Sequence, residues 1–231
     1  MTAAGYEDAE VTAIDISRAS LAYAARQAVR HGLDNIRFVH GDLLHAGRLG
    51  EVFDVVEAVG VLHHMPDPGA GLGALASVVK PGGFLNLGVY SRRGRLSLVP
   101  AARAVAAWCA GTDDPAALRS ARAHLIESGR EEWLAPSRSV DFYCTSGFRD
   151  LLAHTHEILY SPRDLPALIG PSGLELLGFR AVKTELRVAY VAEHPDDPYL
   201  RNLGWLDDFD AAHPDVFGSL MRFWLRRPLS S

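Results

Sequence analysis

From residue 11 to residue 90 the chain alternates short apolar runs with helix-patterned stretches, and this alternation leaves few folds open to it. Val11–Asp15 is a short apolar run, and Ser17 then offers a side-chain cap to a helix over about residues 18–31. Leu21, Ala24, Ala25 and Ala28 would share one face of that helix, and Gly32 stands where a left-handed residue closes it. Residues 36–39 alternate as a strand and stop at Gly41-Asp42. Phe53–Val59 is a further strand, and Pro66-Asp67-Pro68 breaks the chain after it. Residues 71–79 read as a helix, Lys80-Pro81-Gly82-Gly83 as a turn, and residues 84–90 as a buried apolar strand. Strands alternating with helices at this spacing predict an α/β fold, a doubly wound and mostly parallel sheet with helices on both faces.

The pattern then changes. Residues 96–132 are rich in alanine and arginine with helical periodicity and a break around 111–115. Residues 141–160 mix aromatics, histidines and charges; 162–168 read as a short helix and 174–179 as a strand. The tail from His194 is punctuated by prolines and rich in aromatics (Tyr199, Trp205, Phe209, Phe217, Phe223, Trp224), and residues 217–225 read as a last strand in preference to a helix. With 231 residues the chain suits one large domain. Its parts would be a core over 1–95, a helical insertion over 96–160, and the closing part of the sheet with the aromatic tail over 161–231.

Composition narrows the function classes. A net charge of -5 argues against nucleic acid as the main partner. Arg92, Arg93 and Arg95 form a small basic patch, read as a solvated loop ahead of a phosphate site. Two cysteines, Cys109 and Cys144, show no C-x-x-C spacing and suit a reducing compartment; no metal-ligand spacing is recognisable. The start MTAAGYEDAE does not read as a signal peptide, and no apolar run approaches the roughly 20 residues of a membrane span. The expectation is a soluble, cytoplasmic protein with no membrane partner.

In an open doubly wound sheet, ligands bind at the carboxyl ends of the strands. Asp15 at one such end could accept from both hydroxyls of a ribose, or be an ordinary helix-start aspartate. Gly41 permits close approach of a flat ligand, and Asp42 could accept from an exocyclic amine; the pair is also a common turn. In EAVGVLHHM (57–65), Val59 and Gly60 leave room across a strand end. His63 and His64 would stand at the cleft mouth as a general base or substrate-orienting pair, or as loop histidines packing their rings.

The series VTAIDIS, GDLL, FDVVEAVGVLHHMPDP and VVKPGGFLNLGVY, over about residues 11–90, resembles class I S-adenosylmethionine-dependent methyltransferases, especially the bacterial small-molecule type. DFYCTSGFRDLLAHTHE and the aromatic tail resemble a subgroup sometimes joined to tetratricopeptide repeats. The resemblance implies a Rossmann-like, seven-stranded sheet and S-adenosylmethionine as cofactor. Its binding residues would be Asp15, Ile16, Gly41, Asp42, Leu43, Val59 and Gly60. Among these, Asp15 would hold the ribose, Asp42 and Leu43 would frame the adenine, and Val59-Gly60 would line the methionine portion. The insertion over 96–160 would cap the cleft, with Tyr143 and Arg149 as substrate contacts and His63 or His64 as base. The acceptor would be a small molecule or a protein side chain.

One departure stands out. The family begins with a strand and a G-x-G-x-G loop ahead of the strand ending in Asp15, whereas here ten residues precede Val11 and Gly5 is their single glycine. The first strand, its loop and its helix are therefore expected to be missing. Two strand edges would be left unpaired or the flanking strands forced together. A start recorded too far downstream, or a truncated gene, is the preferred explanation over a relic with a rearranged sheet. Two rivals remain: a non-catalytic binding or interaction module using the aromatic tail, and a fragment of a nicotinamide-dependent dehydrogenase, whose ribose Asp15 would also suit. The K-P-G-G turn and the lack of a hydride-transfer constellation count against the latter.

Overall fold

The computed structural model describes residues 2–5, 8–109, 112, 114–154, 156–180 and 183–229. In chain order its elements are α1 (Thr2–Gly5), β1 (Val11–Asp15), α2 (Arg18–Arg30), β2 (Ile36–His40), β3 (Phe53–Val59), α3 (Pro68–Val78), β4 (Val79–Tyr90), α4 (Val99–Cys109), α5 (Pro115–Ser128), α6 (Glu131–Leu134), α7 (Thr145–Phe148), α8 (Leu165–Ile169), β5 (Glu175–Phe179), α9 (Thr184–Glu193), α10 (Leu203–Ala212) and β6 (Leu220–Arg226). Short 3-10 turns join them, and one π-helical turn, Arg149–Ala153, follows α7. The local causes are those the sequence offers. The Ser17 hydroxyl accepts from the Ser20 N–H to start α2, and Gly32 at φ +65° ends it. Asp67 accepts from Ala70 N–H, with Pro68 in the first helical turn of α3. Asp114 caps α5 at the expected break; Gly111 lies outside the described residues.

The strands form two sheets. β1 and β2 pair in parallel; the other sheet runs β3-β4-β6-β5, with β3-β4 parallel and β6 antiparallel to both neighbours. Among the described residues β1 and β3 pair neither with each other nor with a strand between them, so each keeps an edge outside a ladder. β4 starts at Val79 rather than after the K-P-G-G turn. The register jumps from Phe53 facing Val79 to Val55 facing Phe84, so the turn is absorbed as a bulge inside the strand. Gly82 makes this possible with φ +80°, its N–H donating to the Arg227 carbonyl at 2.8 Å, while Arg227 N–H donates to the Gly83 carbonyl at 3.0 Å.

One face of the larger sheet is fully packed. Leu85, Leu87 and Val89 of β4 and Met221, Phe223 and Leu225 of β6 are buried against α3, α8, α9 and α10 through Leu72, Leu75, Leu165, Tyr190, Leu206 and Phe209. On the other face the cross-strand partners Val55 and Phe84 remain 49% and 39% exposed. The helical insertion has its own core, built from Leu98, Val105, Leu118, Leu125, Phe142 and Phe148. α9 directly precedes the tail, and the tail itself holds α10 before the expected last strand. Among the described residues no helix is long and apolar enough to cross a membrane.

Candidate functional site

The carboxyl ends of β1 and β2 lie side by side, because the parallel register sets Asp15 opposite His40. The Asp15 carbonyl accepts from Gly41 N–H at 3.1 Å, which ties the two strand ends together. One carboxylate oxygen of half-buried Asp15 accepts from Ser17 N–H at 2.7 Å, leaving Oδ2 without a partner among the described residues. Asp42 likewise caps the 3-10 run Leu43–Leu49, its Oδ1 accepting from Leu44 N–H at 2.9 Å. Ile16 and Leu44 stand beside these carboxylates 70% and 45% exposed, an apolar rim around two acceptors. At the end of β3, Gly60 has φ +85° with open space where a Cβ would stand, and its N–H donates to the Gly88 carbonyl. A Cβ on Gly88 would press into Val59, so β3 and β4 approach closely there.

The histidines lie at the ends of β3 and β4 under a strap of chain. Ile158 N–H donates to the His63 carbonyl and Tyr160 N–H to the Tyr90 carbonyl, both at 2.9 Å, drawing residues 156–160 across the strand ends. His63 is thereby fully buried, stacked on Tyr90 at 3.7 Å, and neither ring nitrogen has a partner. Burial, reinforced by His64, Arg95 and His154, pushes its pKa down to about 3, so it is neutral. Arg95 lies over the other ring of this stack, 3.8 Å from the Tyr90 centroid, and its NH2 group binds Glu157 and the Leu151 carbonyl.

His64 is half-buried and differently placed. Its Nδ1 faces the His156 carbonyl at 3.2 Å, and a carbonyl can only accept, so Nδ1 carries the proton and Nε2 keeps its lone pair. Burial holds its pKa below the usual histidine value, against the opposing pull of that carbonyl. His154 stacks on it at 3.8 Å. The structure thus orders His154, His64, His63 and Tyr90 in a row of rings, of which sequence reasoning selected the middle two.

Tyr143 and Arg149 stand elsewhere in the insertion. Tyr143 is 65% exposed with its hydroxyl donating to the Ser137 carbonyl; Arg149 is exposed and pairs with Asp150 at 3.5 Å. Neither shares a hydrogen bond, ion pair or ring contact with the histidine row among the described residues. Tyr90, Arg95, His154 and Glu157 were not selected from the sequence. The tract H-T-H-E (154–157) was the available signal, since it places three titratable side chains in four residues. Arg93 and Arg95, read as part of a solvated loop, are instead ion-paired: Arg95 is 5% exposed, and Arg93 bridges Asp207 and Asp210. No cluster fit to hold a metal ion occurs among the described residues.

Residues 1–83 match a family model described as a methyltransferase domain. An uncharacterized protein of Synechococcus is 36% identical over 183 residues, covering 74% of this chain and 43% of that protein. A ubiquinone biosynthesis O-methyltransferase of Stutzerimonas stutzeri is 37% identical over 85 residues, 36% of each chain. Among solved structures, PKMT2 of Rickettsia typhi superposes with a TM-score of 0.66 at 12% identity, covering 96% of this chain and 44% of that one. Its complex with AdoHcy gives 0.63 at 13% identity, covering 98% and 45%. The chain therefore spans less than half the length of these relatives.

Proposed function

We propose, from the premise that this chain is a class I S-adenosylmethionine-dependent methyltransferase in sequence match and fold, that it transfers a methyl group to a small-molecule or protein acceptor at the carboxyl ends of β1–β4. One observation carries the reading: Asp15 and Asp42 stand at the adjoining ends of β1 and β2 with a free carboxylate oxygen and an apolar rim. These residues fit the nucleoside half of the cofactor, with Oδ2 of Asp15 for the ribose hydroxyls and Asp42 with Leu43 for the adenine. When bound, S-adenosylmethionine supplies an already activated methyl electrophile, so the protein's main work is positioning and exclusion of water. His64, rather than the enclosed His63, is the residue we assign to accept a proton from the nucleophile, through Nε2.

The test is calorimetric binding of S-adenosylhomocysteine, with Asp15→Ala beside the parent chain. Loss of charge-assisted bonds worth about 1.5–3 kcal/mol predicts affinity weaker by about 10- to 100-fold. Equal binding by parent and variant would remove Asp15 from the site. Among the described residues no strand lies between β1 and β3, so that flank of the nucleoside site is built from one side only. Absence of binding by the folded chain would detach the cofactor from these residues.

A further inference from the structure

The row of rings that starts at Tyr90 ends at His154, and His154 is also part of the wall of a cavity of about 400 Å3 in the insertion. α4 contributes Val99, Ala102, Val105 and Ala106, and the π-helical turn contributes Leu152 and Ala153. Its size falls within the range of roughly 300–1,000 Å3 found for small-molecule sites. Among the described residues no carboxylate lines it. Arg103, which has no ion pair among the described residues, and His154 are its charge-bearing members apart from the buried Cys109 thiol. An ammonium group entering here would find no counter-charge, while an acidic hydroxyl would find two donors. The short alanine side chains on α4 and the aromatic edge of His154 leave room for a flat ring.

From this geometry we infer that the cavity binds an apolar aromatic small molecule bearing a phenol-type hydroxyl, with that hydroxyl turned toward His154 and Arg103. Naming this ligand the methyl acceptor rests on the methyl-transfer reading above; its binding does not. The cavity is linked to the histidine row through His154, which stacks on His64 at 3.8 Å.

The experiment titrates the 231-residue chain with 2-naphthol, with naphthalene, and with a lysine-containing pentapeptide, following binding by calorimetry. S-Adenosylhomocysteine is titrated in parallel. Ala106→Phe fills the cavity from an exposed helix position and should weaken 2-naphthol by about tenfold with unchanged thermal unfolding. 2-Naphthol should bind several-fold more tightly than naphthalene, and Arg103→Met with His154→Phe should erase that difference. Failure of the folded chain to bind 2-naphthol, or binding indifferent to Ala106→Phe, overturns the inference. So does pentapeptide binding that Ala106→Phe blocks in its place. Binding of 2-naphthol without any binding of S-adenosylhomocysteine leaves this site standing and removes the methyl-transfer reading instead.

Discussion

His63 illustrates how a residue chosen for chemistry can be held for packing. Its ring is enclosed by the strap, stacked on Tyr90, and neutral, with a pKa of about 3 against an ordinary 6.5. The sign of the linkage follows directly. Above about pH 6.5 folded and unfolded chains carry the same neutral ring. As pH falls from there toward about 3 only the unfolded chain takes the proton, so stability is lost. The slope from this group alone approaches about 1.4 kcal/mol per pH unit. His63→Phe should preserve the stack and flatten the fall in melting temperature between about pH 6.5 and 5, with His64 leaving a smaller slope of the same sense. An unaltered slope in that variant would show that His63 is reached by water. At this scale the strand-end positions of Asp15, Asp42, His63 and His64 were legible because each stands within a few residues of an apolar strand run. Tyr90, Arg95, His154 and Glu157 were not, because their meeting depends on a strap laid across the sheet by hydrogen bonds between distant backbone groups.

The element least readable from its own residues is α10. LGWLDDFDAA carries three carboxylates in ten positions and looks like a solvated stretch. Two of the three are buried, Asp207 at 7% and Asp210 at 0% exposure, because Arg93 binds both at 2.9 and 2.8 Å and Arg163 binds Asp207 at 3.0 Å. Arg93 lies 114 and 117 positions upstream of the two carboxylates, and Arg163 lies 44 upstream of Asp207, separations that no local pattern reveals. Burial raises the pKa of Asp210, and Arg93 opposes the rise. Removing Arg93 therefore strands a buried carboxylate. Arg93→Met should destabilise the fold by about 3 kcal/mol, and adding Asp210→Leu should recover most of it, because the penalty belongs to the unpaired charge. A urea-denaturation double-mutant cycle measures this; additive losses would mean the two residues act separately. By contrast, β1, β2 and β3 were legible nearly to the residue, since each is an apolar run closed by a turn residue or helix cap that acts locally. The start of β4 was not, because the K-P-G-G turn is retained inside the strand by Arg227, from the far end of the chain.

Across the whole molecule the decisive feature is the division of the sheet. A two-stranded sheet is marginal by itself, and β1–α2–β2 is joined to the rest by the 3-10 run Leu43–Leu49 packed on α3, with Ala46 buried and Leu43 against the main core. β4, flanked on both sides and packed by four helices, should open only with global unfolding, whereas β1 can open with its own small unit. Native-state hydrogen exchange should then find Ala13, whose N–H faces β2, at least about 100-fold less protected than Leu87 and Phe223. Equal protection would show that the two sheets form one cooperative body despite the missing pairing. The proposed nucleoside site makes a sharper claim, because Asp15 and Asp42 lie on one sheet and Gly60 on the other. A ligand held by all three bridges the division. S-Adenosylhomocysteine at about 100 times its Kd contributes about 2.7 kcal/mol to whatever opening it must precede, which is about 100-fold in exchange rate. That slowing should fall on β1 and β2, with β4 and β6 less affected where their opening is already global. Slowing confined to β3 and β4 would place the ligand on the larger sheet alone and detach Asp15 and Asp42 from the site.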